Sequence, residues 1–304
     1  MAASRTNPGC PRMMQPQFKM VQCLSPAGLH QMAYKQWGEP DNPDVLICVH
    51  GVSRVSSDFD HLAAALSDRY RVICPDVVGR GQSSWLKNPQ FYAVPQYVSD
   101  MVTLVARLDV PRVDWLGTSM GGLIGMGLAA LPDSPVRRMI VNDVGPTLNF
   151  PALARIAEYL GAEKRFASFD EGLDYIRTVS APFGPHSDEE WAKLARDVLV
   201  QEESGQWRRH YDPAIATPFQ GLTEQMVLQG EAALWAAWDA IRCPVLLVRG
   251  GDSDLLTPET AQQMTQRGPK AELVELPGIG HAPTFMHEDQ IAIARRFLLR
   301  HELH

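Results

Sequence analysis

From about residue 18 the chain alternates short β-branched runs with stretches of helical spacing. Residues 18–24 and 30–37 predict a strand pair, divided by the turn signal Ser25-Pro26-Ala27-Gly28. Residues 44–50 (DVLICVH) are almost continuously apolar, as a strand covered on both faces requires. Further strands are expected over 70–74, 113–117, 138–142, 244–248 and 272–275. Helical spacing marks 59–66, 96–108, 120–131 and 290–299. In the second of these, Tyr97, Met101, Leu104, Val105 and Leu108 share one side.

Strands separated by helices predict βαβ units and a mostly parallel sheet, an α/β fold. The alternation breaks between about 146 and 220, where LARIAEYL, FDEGLDYIRTV and DEEWAKLARDVLV are helical and strands are scarce. Lying between two sheet strands, this stretch is expected to form a helical cap over the carboxyl edge of the sheet, where ligands of open α/β sheets bind. The expected division is a flexible lead-in over 1–17, a core made of 18–145 and 221–304, and a cap over 146–220. Trp235 and Trp238, three apart, suit the buried face of a helix.

Composition narrows the partners. The 304 residues are 45% hydrophobic and 21% charged, enough for a sizeable core. The net charge of −7, with no Lys/Arg run, is unsuited to nucleic acid or an anionic membrane. No apolar run approaches a membrane-spanning length. The five cysteines are odd in number and form no CxxC pair, which fits neither a disulfide framework nor a zinc site. The N-terminus lacks an apolar secretory core, so the cytoplasm is the expected location; Met13 and Met14 offer alternative starts. No metal constellation and no dinucleotide fingerprint is visible, and no cofactor is expected. The pattern specifies no oligomeric state.

Candidate chemistry centres on Gly117-Thr118-Ser119-Met120-Gly121, a G-x-S-x-G between a predicted strand and a predicted helix. Such a turn forces its serine into a strained conformation that lifts the hydroxyl above the sheet. Gly117 and Gly121 are expected where strand and helix crowd together. A serine hydroxyl needs a base. His281, in Gly280-His281-Ala282-Pro283 after the last predicted strand, is the candidate. The base needs an acid to hold its tautomer. Asp252 and Asp254 both follow the strand PVLLVRG, and Asp254 is preferred because Leu255-Leu256 would bury it.

These motifs, in the order Ser119, Asp254, His281, resemble the α/β-hydrolase fold with a helical cap, the group of carboxylesterases, lactonases and carbon–carbon bond hydrolases. The resemblance runs from about residue 18 to the end. It includes His50-Gly51 and Asp76-Val77-Val78-Gly79-Arg80-Gly81-Gln82-Ser83. It implies a mostly parallel central sheet flanked by helices, and backbone N–H groups of Val52 and Met120 as the oxyanion hole. It also implies hydrolysis of a small-molecule carboxylic ester through an acyl-enzyme. Lactones, hydroxyalkanoate oligoesters and carbon–carbon bonds are alternative substrates, and a non-catalytic binding member of the fold is the alternative class. A serine at the elbow, in place of aspartate, argues against a dehalogenase or epoxide hydrolase.

The remaining residues divide between packing and recognition. His50 is expected to brace its loop, and Arg80 to pair with a buried carboxylate. Phe285, close to His281, is a candidate for substrate contact, as are aromatic residues after the Arg80 turn and in the cap. Arg54 has two readings. It holds a carboxylate or carbonyl of the substrate, or it ties its loop to the next helix through Asp58 or Asp60.

Overall fold

The computed structural model describes residues 15–300. The expected lead-in lies outside them as far as residue 14, together with Cys10, Met13 and Met14. In chain order the core contributes β1 (Gln17–Ser25), β2 (Gly28–Trp37), β3 (Val45–Val49), α1 (Asp60–Leu66), β4 (Arg71–Pro75), α2 (Val94–Leu108), β5 (Val113–Thr118), α3 (Met120–Ala129) and β6 (Val136–Asn142). An insertion follows, with α4 (Phe150–Leu160), β7 (Arg165–Phe166), α5 (Phe169–Val179), α6 (Asp188–Val198), β8 (Leu199–Gln201), β9 (Trp207–Arg209) and α7 (Glu224–Ala240). The chain then returns to the core as β10 (Val245–Gly250), α8 (Pro258–Gln266), β11 (Glu272–Leu276) and α9 (Glu288–Leu298).

The main sheet has the order β1-β2-β4-β3-β5-β6-β10-β11. Only the β1–β2 and β2–β4 pairs are antiparallel. From β4 to β11 every pairing is parallel. Successive residues of the inner strands feed opposite cores, as the two-residue period demands. Val45, Ile47 and Val49 join Trp115, Met139 and Val141 under α2 and α3. Leu46 and Cys48 join Leu116, Ile140 and Val248 against α1 and α9. With both faces covered, all five residues of β3 are buried.

The insertion's helices start where their caps dictate. Asn149, Ser168 and Thr223 each accept a backbone N–H of the first turn, and Ser187 forms a full capping box with Glu190. The expected helices are present, yet the stretch also holds the antiparallel sheet β7-β9-β8, which the helical spacing did not announce. The run DEEWAKLARDVLV stops being helical at Val198 and continues as β8. The turn at Gly205, φ 85°, sends it back as β9.

Candidate active site

β5 ends at Thr118 and α3 begins at Met120, which leaves Ser119 alone in the turn at φ 53°, ψ −115°. Positive φ is costly for a residue with a Cβ, so neighbours must hold it. Ser119 N–H donates to Asn142 O at 2.9 Å, and Ser119 O accepts from Gly122 N at 2.8 Å. The turn is possible because its glycines lack side chains. A Cβ on Gly117 would lie 2.1 Å from Gly121 O, and one on Gly121 would lie 2.0 Å from Val49 O.

His281 sits in the loop between β11 and α9. Its Nε2 is 2.9 Å from Ser119 Oγ and its Nδ1 is 2.8 Å from Asp143 Oδ2. An ionised carboxylate only accepts, so the ring proton belongs on Nδ1 and Nε2 faces the serine hydroxyl as an acceptor.

The carboxylate that meets His281 is therefore Asp143, which the sequence reading did not nominate. Asp143 follows β6, is buried, and also accepts from Gly250 N at 2.8 Å and Ser253 Oγ at 2.7 Å. Asp254 is not at the histidine: its carboxylate faces outward and accepts from Arg155 at 2.6 Å. The apolar pair after it behaves as expected, since Leu255 and Leu256 are buried. Burying them turns the neighbouring Asp254 side chain to solvent and puts Ser253 inside. The turn after β10 thus reaches the dyad through a hydroxyl, while the carboxylate comes from the strand next door.

Val52 and Met120 both border the space at Ser119. Met120 is the first residue of α3, so its N–H has no partner within the helix. The carbonyl before Val52 is held from behind: Gly51 O accepts from His50 Nδ1 at 2.7 Å and from Arg54 N at 3.1 Å. In a trans peptide the N–H points opposite its C=O, which turns Val52 N–H away from those contacts. His50 Nε2 accepts from Val77 N at 3.0 Å, so this ring is committed to bracing. Burial holds its pKa below the ordinary histidine value.

Arg80 departs from expectation. Its Nε donates to Val52 O at 2.9 Å and its Nη1 to Val78 O and Tyr97 Oη. No carboxylate pairs with it among the described residues. Arg54 takes the bracing alternative: its Nη2 and Nε donate to Asp58 at 2.7 and 2.9 Å, and Nη2 also reaches Leu194 O. Its charge is therefore matched before any ligand arrives. Phe285, the candidate for substrate contact, borders neither cavity beside Ser119. It is buried with Ile291 and Phe297 in the core under α9, and its N–H donates to Gln290 Oε1 at 2.7 Å.

Two cavities meet at Ser119. The smaller, about 80 Å³, contains His281 and is bordered by Ser53, Arg54, Arg155, Tyr159 and Arg209. The larger, about 370 Å³, is bordered by Met120, Leu123, Leu148, Phe219, Val227 and Leu234. Residues between β6 and β10 line both.

Away from this site, Cys23, His30 and Asp100 bring potential metal-ligand atoms within 4.8 Å of one another. His30 Nε2 is already 3.0 Å from Asp100 Oδ2, and Asp100 also accepts from Gln96 at 2.8 Å. These contacts describe a buried histidine–carboxylate pair between β2 and α2.

The sequence matches the family model over residues 46–295, and the chain belongs to the alpha/beta hydrolase family. It is 56% identical over 285 residues to the 3-hydroxybutyrate-oligomer hydrolase of Cupriavidus necator, covering 93% of this chain and 97% of that one. It is 29% identical over 236 residues to an esterase of Mycobacterium tuberculosis, covering 73% and 71% of the two chains. The crystal structure of an alpha/beta hydrolase from Novosphingobium aromaticivorans superposes with a TM-score of 0.81 at 34% identity, covering 93% of this chain and 99% of that one. The chain is a carboxylic ester hydrolase.

Proposed function

We propose that this protein hydrolyses oligomeric esters of hydroxyalkanoic acids, 3-hydroxybutyrate oligomers foremost, with Ser119, His281 and Asp143 as the catalytic triad. The observation that carries the chemistry is the continuous chain Ser119 Oγ–His281 Nε2–His281 Nδ1–Asp143 Oδ2, at 2.9 and 2.8 Å. The substrate class rests on 56% identity to the Cupriavidus oligomer hydrolase along nearly the whole chain.

Ser119 Oγ attacks the ester carbonyl and passes its proton to His281 Nε2. The carbonyl oxygen gains the charge and is held by the N–H groups of Val52 and Met120, the oxyanion hole. Asp143, fixed by Gly250 and Ser253, stabilises the imidazolium without taking its proton. His281 then protonates the leaving alkoxide. Water, deprotonated by the same nitrogen, attacks the acyl-serine and releases the acid. Of the two cavities His281 borders only the smaller, so in this reading the alcohol half leaves there and the acyl half occupies the larger, apolar one.

The insertion, expected as a cap over 146–220, acts in this reading as the lid of both cavities. α7 belongs with it functionally, since Val227 and Leu234 border the acyl side. Among the described residues no helix is long and apolar enough to cross a membrane. We place the enzyme in the cytoplasm, on a water-soluble substrate, with no nucleic-acid partner.

The test is direct. Purified protein releases 3-hydroxybutyrate from its dimer and trimer, and a fluorophosphonate labels Ser119 covalently. Ser119→Ala abolishes labelling and lowers kcat by about 10⁴–10⁶ while melting unchanged. Retention of a tenth of the activity would end the covalent mechanism.

A further inference from the structure

The smaller cavity, on the leaving side, is bordered by three arginines, Arg54, Arg155 and Arg209, and one carboxylate, Asp58. The three arginines are not equivalent. Arg54 is held by Asp58 through two nitrogens. Arg209 is buried and fixed: it donates to Tyr159 O and Ala162 O and lies over the Tyr211 ring. It has no carboxylate partner among the described residues, so its charge is felt in the cavity without being free to move. Arg155, on α4, is the exposed one, and it borders both this cavity and the outer pocket that holds Asp254. Its side chain is 40% exposed and its partner Asp254 is 51% exposed. Both Arg155 contacts, 2.6 Å from Nη2 and 3.2 Å from Nε, fall on the same oxygen, Asp254 Oδ2. That is not the parallel two-oxygen fork in which arginine–carboxylate pairs are strongest. An exposed pair of this kind contributes little and is readily exchanged.

An oligomer of hydroxyacids places one free carboxylate on its terminal leaving unit. The acyl cavity offers nothing comparable, since Arg80 is its only charged lining residue and three of its nitrogen–oxygen contacts are already made. We propose that Arg155, in the field of Arg209, exchanges Asp254 for the free carboxylate of the leaving hydroxyacid, and that the enzyme therefore prefers cleavage at the carboxyl-terminal ester. This inference rests on the oligoester reading above. It also gives Asp254 a role: it neutralises Arg155 between turnovers and competes with the substrate for it.

The experiment compares the 3-hydroxybutyrate dimer as free acid with its methyl ester. The wild-type enzyme favours the free acid in kcat/KM. Arg155→Gln lowers that ratio by about tenfold, the scale of a lost hydrogen bond to a charged group. Asp254→Asn raises it, because the competitor is gone. In parallel, free 3-hydroxybutyrate inhibits hydrolysis of p-nitrophenyl butyrate, and Arg155→Gln weakens that inhibition by a similar factor. If the acid-to-ester ratio and the inhibition constant are both unchanged in Arg155→Gln, the assignment is overturned. If the wild type cleaves p-nitrophenyl butyrate but neither form of the dimer, the oligoester reading falls, and the inhibition constant alone still decides whether Arg155 binds a carboxylate.

Discussion

Asp143 and Asp254 have the same side chain and opposite surroundings. Asp143 is buried and accepts from Gly250 N, Ser253 Oγ and His281 Nδ1, whereas Asp254 faces solvent with Arg155. Asparagine at 143 keeps the size but presents a donor group beside His281, so the ring is stabilised in the wrong tautomer. Asp143→Asn is expected to lower kcat on p-nitrophenyl butyrate by about 10⁴, as loss of a triad acid does. Asp254→Asn is expected to stay within about tenfold of wild type on that ester, since the exposed pair it removes is weak. Steady-state kinetics on the two variants separates the assignments, and a reversal of the two results would restore Asp254. The serine and the histidine were legible because each sits in a motif whose spacing encodes a backbone shape. The acid was not, because the fold can deliver a carboxylate to His281 from either of two adjacent strand ends, and one apolar pair after Asp254 does not say which face of the turn is buried. The usable signal was Asp143 itself, an aspartate at the carboxyl end of β6, on the edge where α/β sheets bind their ligands.

At the level of elements, the strands of the parallel core were readable, because continuous apolar strands and one-sided helices have different periods. The small sheet β7-β9-β8 was not. Its strands are two or three residues long, too short for any period to register, and Phe166 and Leu199 share one buried cluster with Ile176 of α5 and Ala195 and Val198 of α6. α8 was also passed over, since its sequence, PETAQQMTQ, buries only one narrow stripe through Thr260, Ala261 and Met264. The elbow shows the opposite case, in which sequence dictates geometry without slack. A Cβ at Gly121 would stand 2.0 Å from Val49 O, a backbone atom of an inner strand that cannot yield. At Gly230 on α7 a Cβ meets nothing within 4 Å. Gly121→Ala is therefore expected to destabilise the protein by more than about 2 kcal/mol, by overpacking. Gly230→Ala is expected to leave stability equal or raise it by about 0.5–1 kcal/mol, through helix propensity. Urea unfolding of both variants measures this; similar midpoints would mean that α3 does not approach β3 as closely as the elbow requires.

Across the whole molecule, the response to acid follows from histidines that the fold keeps neutral. His50, His61, His186 and His210 all have pKa values lowered, with burial the largest cause for each. His50 is the clearest. Its Nδ1–H donates to Gly51 O and its Nε2 accepts from Val77 N–H, so a second ring proton must displace the Val77 N–H bond that ties the segment after β4 to the loop that carries Val52. A histidine whose folded pKa lies below its unfolded value, near roughly 6.5, binds fewer protons in the folded state. Its contribution is complete above that pH and is lost progressively as pH falls below it. For the fully buried His50 the loss amounts to about 1.4 kcal/mol for each pH unit below that point, until the folded pKa is reached. Asp100 and Asp197, raised mainly by burial, act in the opposite sense, since protonation favours their folded form. The fall in stability is expected to follow His50, the histidine that is wholly buried and whose ring makes both of its hydrogen bonds only while neutral. The melting temperature, recorded at constant ionic strength, is expected to fall as pH is lowered from 7 through 6.5 to 5.5. The fall is shallower in His50→Gln, which cannot titrate, even where that variant starts from a lower value at pH 7. A melting temperature that holds level or climbs over this interval in the wild type would mean that these rings accept their protons without cost, and that the Gly51–Val77 brace does not depend on a neutral His50.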